Sequence, residues 1–489
     1  MRDLGLKQAG IIAVFALAAA TLIASLISTP AFLGLSISCF VAAVTVPLAL
    51  RLRRGIDPGE AIYPFVLYFT LTMGVRGIAI LTFQSSIYLP VLQDPKSSYF
   101  QSLVGWNFFY SALGLVLLHL GYSSGLGDRW GRRLGRAVQS WAPWPARRVR
   151  AVALAWFLIG LFGATSFATT FGGFRAVTEN LMFAFTEGGL GNYWKIVLME
   201  FAVVGFHLLA VYEFTRPGAR RPMLVVIPGL ALVLGLYVFT GSKYLLLRGV
   251  VPILLYVHFL RRRLNVLHLA VVALIFAALF PVFYAYRASG TGGLQQIADR
   301  LGGSGVAGWF AQGNILGRGY DADSFVAVLH RAGREVPFQL GGTLTDLFVF
   351  FIPRAWWPEK PMSYGLVFAQ QFMPDVYFTN LTYCSPSLAG ELYANFHVIG
   401  IIAGFWLLGA IMKAAHRMAL GGGPAGVVYY GYAYLALIVC VEGAIATSTE
   451  SLLADIVPAW IAIRMVQSRA AQRTAPRPAT MLAPTAARE

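Results

Sequence analysis

Long apolar stretches separated by short polar ones repeat along the chain. Stretches able to cross about 30 Å of hydrocarbon lie near 11–28, 31–50, 61–83, 100–122, 151–172, 194–214, 223–241, 244–260, 266–286, 398–415, 427–447 and 452–467. The pattern predicts an all-α polytopic membrane protein of about 12 transmembrane helices. The N-terminus runs straight into the first stretch without a small-residue cleavage pattern, so that stretch reads as a retained helix rather than a removed signal.

One feature interrupts the rhythm. Between the ninth and tenth stretches the chain makes an excursion of about 110 residues, 287–397, far longer than an ordinary connection. The organisation expected is a bundle over 1–286, this large loop, three more spans over 398–467, and a disordered tail over 468–489. The loop opens Gly-rich ("SGTGGLQQIADRLGGSG"). Its middle, "GTLTDLFVFFIPRAWWPEKP" over 342–361, holds an apolar run too short to span. That predicts a short re-entrant or interfacial helix, stopped by Pro353 and held at headgroup depth by Trp356 and Trp357. No inverted repeat relates the two halves.

Composition agrees with lipid contact. Hydrophobic residues make up 57% of the chain and charged ones 12%, against about 25% charged in soluble domains. A net charge of +17 would raise nucleic acid as a partner in a soluble protein. Here the basic residues sit in short runs between apolar stretches, which argues for topology and against nucleic acid. With the N-terminus inside, twenty-five of the 38 Lys and Arg fall in cytoplasmic segments, and only Lys96, Arg175 and Lys243 in short external turns. The bias puts both termini in the cytoplasm and the large loop outside. Three cysteines, Cys39, Cys384 and Cys440, offer neither a disulfide framework nor zinc spacing.

Candidate chemistry gathers on the outer face. Lys243 and Arg248 stand at the outer end of the 223–260 pair, and Arg287 stands where the ninth span ends. The loop adds Arg318, Tyr320, Asp321, Asp323, His330, Arg354, Lys360 and Glu391. Arg offers paired donors to phosphate oxygens, so such a set suits an amphiphile with a diphosphate head. Snorkelling anchors are the plainer explanation for any single interfacial cation. Arg76 and Arg248 fall inside apolar spans, where a charge needs a partner; Glu200 and Glu442 are the expected ones. Asp321 and Asp323 have a D-x-D spacing that is common by chance. No phosphate-cradling Gly loop, nucleophile elbow or HExxH sequence occurs.

The stretch "FIPRAWWPEKP" from Phe351, followed by "SPSLAGELYANFHVIG" over 385–400, resembles the oligosaccharide repeat-unit polymerases of the Wzy type (O-antigen and exopolysaccharide polymerases). "GSK" at 241–243 resembles a family stretch that more often ends in Arg. His397 stands where Gly is more usual, and Ala355 where Ser is; neither departure removes a charge. The resemblance covers 240–415. It implies a metal-independent glycosyltransferase without cofactor in the bacterial inner membrane. Its substrates would be oligosaccharides on undecaprenyl diphosphate, with membrane lipids around it and a chain-length determinant and a flippase as partners. By the same resemblance Arg287, Arg354 and Glu391 would be catalytic, Glu391 as base or as a structural partner of Arg354. Lys243, Arg248, Arg318, Tyr320, His330, Trp356, Trp357, Lys360 and Tyr393 would bind substrate. A ligase moving finished glycan to another acceptor, or a transporter of lipid-linked sugars, would share the membrane setting.

Reporter fusions after Arg136 and Arg263 should report cytoplasm, and one at Gly303 the outside. A cytoplasmic signal at Gly303 would overturn the placement of the loop.

Overall fold

The structure is a computed structural model that describes residues 17–52, 55–82, 96–139, 144–179, 189–216, 218, 221–238, 243–268, 270, 271, 274, 321–349, 352, 356, 357, 359, 360, 364–374 and 384–467. Among them the chain forms helices and connections, without a strand. In chain order the longer helices are α1 (Leu17–Ile27), α2 (Thr29–Leu52), α3 (Ile62–Leu81), α4 (Ser98–Ser123), α5 (Gly125–Val138), α6 (Ala146–Thr170) and α7 (Gly189–Thr215). They continue with α8 (Met223–Val238), α9 (Lys243–Leu260), α10 (Asp321–Arg331), α11 (Tyr364–Phe372), α12 (Leu388–Gly421), α13 (Gly423–Val439) and α14 (Ile445–Val466). Seven of these, α2, α3, α4, α6, α7, α12 and α13 with its 3-10 extension, contain helices long and apolar enough to cross a membrane. The protein is an α-helical membrane protein. α1, α8 and α9 are apolar but shorter, and most of the expected ninth span, 275–286, lies outside the described residues.

Lipid cannot drive helices together as water does, so contact depends on close backbone approach at small residues. α4 and α12 meet in this way. A Cβ at Gly121 would collide with the Trp406 carbonyl oxygen, and one at Gly409 with the Leu118 carbonyl oxygen. The contact is reciprocal, each glycine accepting the other helix's backbone. Gly160 of α6 faces Ala202 of α7 at the same kind of crossing. Across the tight turn at Ser28, the Thr21 hydroxyl reaches Cys39 Sγ at 3.2 Å, so α1 folds back on α2.

α5 departs from expectation. Its seven-cation neighbourhood reads as a polar connection, yet 125–138 is helical. Gly127, Gly131 and Gly135 recur every fourth residue and face α12, while Arg129, Arg132, Arg133 and Arg136 are exposed. Four-residue spacing puts the glycines on one face.

Two polar ends result. At one, Arg51 pairs with Glu60 at 3.0 Å, Asp57 with His258 at 2.8 Å and Arg263 at 2.7 Å, and Arg417 with Asp128 at 2.6 Å. α3 leads from this basic end toward the other, carrying Arg76 sixteen residues beyond Glu60, about 24 Å at helical rise. A π-helical turn, Thr70–Val75, immediately precedes Arg76. The other end holds the described part of the large loop. There α12 begins at Leu388, ten residues before the expected start, and breaks at Phe396 and His397, whose φ values are −133° and 55°. Within 342–361 the described residues make a 3-10 turn, Gly342–Leu344, and one helical turn, Asp346–Val349.

Gly121→Leu and Gly409→Leu should each destabilise the protein by about 1–3 kcal/mol or more, read as thermal unfolding in detergent. Gly125→Ala, with nothing within 4 Å of the added Cβ, should be neutral.

Candidate functional site

The first turn of α10 is the centre of the loop end. Ala322, Phe325, Val326 and Val328 are fully buried, so the helix is seated in the bundle rather than laid on it. That burial takes Asp321 and Asp323 with it, at 2% and 0% exposure. Asp323 accepts two bonds from Arg76, Nε to Oδ2 at 2.8 Å and Nη2 to Oδ1 at 3.0 Å. A fork of this kind combines orientation with charge neutralisation. Glu442, one of the two acids expected to pair with Arg76 and Arg248, accepts from the Tyr68 hydroxyl. The acid that neutralises Arg76 comes from the loop, 247 positions away.

Asp321 meets the resembling stretch. Ser385 Oγ lies 3.0 Å from Asp321 Oδ1 and also bonds the Glu442 carbonyl oxygen. Ser324 Oγ donates to the Ser385 carbonyl at 2.6 Å. The Ser385 hydroxyl thus bridges the Asp321 carboxyl to the backbone at Glu442. Burial, then the nearby Glu442 carboxylate, push the Asp321 carboxyl up to about 7 against the hydrogen bond from Ser385.

A second group lies beside it. Glu391, fully buried, accepts from the Thr343 hydroxyl at 3.0 Å and from the Ile445 backbone N–H at 2.8 Å. Asn395 Nδ2 donates to Thr343 Oγ1 and to the Glu391 carbonyl, both at 2.8 Å, and its Oδ1 accepts from Gly341 N–H at 2.9 Å. Glu391 thereby satisfies an orphan donor at the start of α14 and ties α12 to the 341–345 turn.

The remaining expected residues spread out. Tyr393 is 9% exposed and packs among Tyr110, Phe325, Phe338 and His397. His330 Nδ1 lies 2.8 Å from the Tyr99 hydroxyl, which also accepts from Arg334 at 2.8 Å; burial lowers the His330 pKa. Arg248 sits away from α10, held by Glu200, Asp455 and the Ser451 carbonyl. Glu200 is one of the two acids expected from sequence to pair with Arg248 and Arg76. Trp356 is 82% exposed and Trp357 36%, and Lys360 follows them at a turn. Arg287, Arg318, Tyr320 and Arg354, with the side chain of Lys243, lie outside the described residues. Sequence reasoning passed over Tyr68, Thr343, Ser385 and Asn395. The available signal was the charge of Arg76 within an apolar span, together with two acids opening an amphipathic helix.

Compared with protein-family models, curated proteins and solved structures, the chain matches none.

Arg76→Gln and Asp323→Asn should each cost about 3–5 kcal/mol by stranding a buried charge, and the double variant less than the sum; thermal unfolding checks this. Asp321 supplies a pH test. Its raised pKa favours the neutral form in the folded state, so stability is lost as pH climbs from the ordinary carboxylate range, about 4, through about 7. Asp321→Asn should flatten that decline.

Proposed function

We propose that the chain is a glycosyltransferase of the Wzy type, joining undecaprenyl-diphosphate-linked oligosaccharide repeat units on the outer face of a bacterial inner membrane. In this reading it has about twelve spans with both termini in the cytoplasm. The observation that carries it is the behaviour of the resembling stretch. Ser385, Ser387, Gly390, Glu391 and Asn395 all take part in the buried polar end of a helical membrane bundle. A stretch that merely linked two spans would have no need of such a network.

In the reaction a hydroxyl oxygen of the incoming unit bonds to the anomeric carbon of the donor. The bond from that carbon to the diphosphate oxygen breaks, and undecaprenyl diphosphate leaves with the electron pair. The leaving group is already a good anion, so positioning and charge neutralisation dominate. Lys243, Arg287 and Arg354 are assigned to the diphosphates. Arg248, whose three nitrogens face Glu200, Asp455 and Ser451, is not. The hydroxyl proton goes to Asp321, whose carboxyl near 7 suits proton uptake at neutral pH. Glu391, with both oxygens engaged, acts as a positioning residue.

Cells lacking the protein should accumulate single repeat units on their carrier, and re-expression should restore the ladder. Long glycan left on the carrier would instead identify a ligase and overturn the proposal. Purified protein should polymerise in excess EDTA. Arg354→Lys should lose about 2–4 kcal/mol of barrier lowering, because Lys provides a point charge without the fork; a normal ladder at equal protein level would contradict the diphosphate role.

A further inference from the structure

A second buried ionic group lies where α7, α8, α9 and α14 meet. Arg248 Nη1 donates to Glu200 Oε1 at 2.7 Å and Nη2 to the Ser451 carbonyl at 2.9 Å. The Tyr237 hydroxyl donates to Glu200 Oε2 at 2.7 Å. Glu200 thus receives two short bonds, one of them from a charged guanidinium. Asp455 does not. Its Oδ2 lies 3.3 Å from Arg248 Nε, too poorly placed for a hydrogen bond, and its Oδ1 has no partner. Asp455 is 2% exposed.

Two carboxylates face one guanidinium, which among the described residues leaves one negative charge uncompensated. The other described titratable groups around it supply no cation. These are His207 on α7, Tyr244 and Tyr256 on α9, Tyr432 on α13, and Tyr237 on α8. The side chain of Lys243 on α9 lies outside the described residues. The Tyr256 hydroxyl is itself buried without a partner, and His207 is bonded to the Tyr432 hydroxyl at 2.9 Å. α6 has no titratable side chain over 151–170. The 342–349 turn also packs on α14; the side chain of Asp346, its titratable residue, lies outside the described residues.

We propose that Asp455 is a proton-binding site, carrying a proton on its unpartnered Oδ1 so that Arg248 and Glu200 form the group's single ion pair. A metal cation fits less well, because it would stand beside the guanidinium with only one free carboxylate oxygen to hold it. A proton needs no ligand shell. The inference is independent of the polymerase reading, since it follows from charge count and contact geometry alone.

The test uses the full chain in lipid nanodiscs at neutral pH. The infrared spectrum of wild type minus Asp455→Asn should contain a carboxylic-acid C=O band that shifts in D2O, and no carboxylate bands. Asp455→Asn, the neutral mimic, should melt within about 3 °C of wild type. Carboxylate bands in the difference spectrum would overturn the proposal. So would failure of Asp455→Asn to fold, since a neutral side chain is what the site is inferred to hold. Added Na⁺ that stabilised wild type and not Asp455→Asn would also overturn it, in favour of a cation site.

Discussion

The bond between Arg76 and Asp323 ties the two parts of this molecule together. Arg76 is carried on a helix of the bundle and is 2% exposed; alone it would be an unpaired charge in a low-dielectric setting. Asp323 would be equally unfavourable if α10 were seated without it. Each makes the other's burial tolerable, so the loop helix and the bundle must fold together. The ionic fork also fixes the rotation of α10, since only one face can offer Asp323 to Arg76 and Asp321 to Ser385. Pairs of this kind specify arrangement more than they add net stability.

Once α10 is seated, the rest of the loop end follows. Ser324 and Ser385 bridge α10 to the start of α12, and Glu442 ties that start to the end of α13. Glu391 and Thr343 then carry the connection to α14. The 385–395 stretch is therefore the place where three helix ends and the loop are joined. In the proposed reading, a substrate arriving there would meet a rigid rim rather than a loose connection, the property a transferase with an amphiphilic donor requires.

Much of the bundle was legible because hydrophobic length is a local property. The helix from 98 to 123 and the one beginning at 146 follow from apolar runs with basic flanks. α5 was not legible in that way. Its arginines read as a topogenic charge run, and the helix becomes evident only when the four-residue glycine spacing is paired with α12. Arg248 and Glu200 could be matched as the charged residues of two neighbouring spans. Arg76 and Asp323 could not, since one lies in a span and the other in an excursion whose fold the sequence does not reveal. Glu391 illustrates a different limit. Its motif marks it as important, but whether it faces substrate or a helix start depends on Ile445 and Thr343, which no local pattern connects to it.

The central claim, that the loop helix is locked into the membrane bundle, is tested most directly by backbone hydrogen exchange over 321–331 in the intact protein in lipid. Exchange as slow as that of the buried half of α12 is expected, because α10 can open only by separating a buried ion pair. Exchange at the rate of a free chain would contradict it.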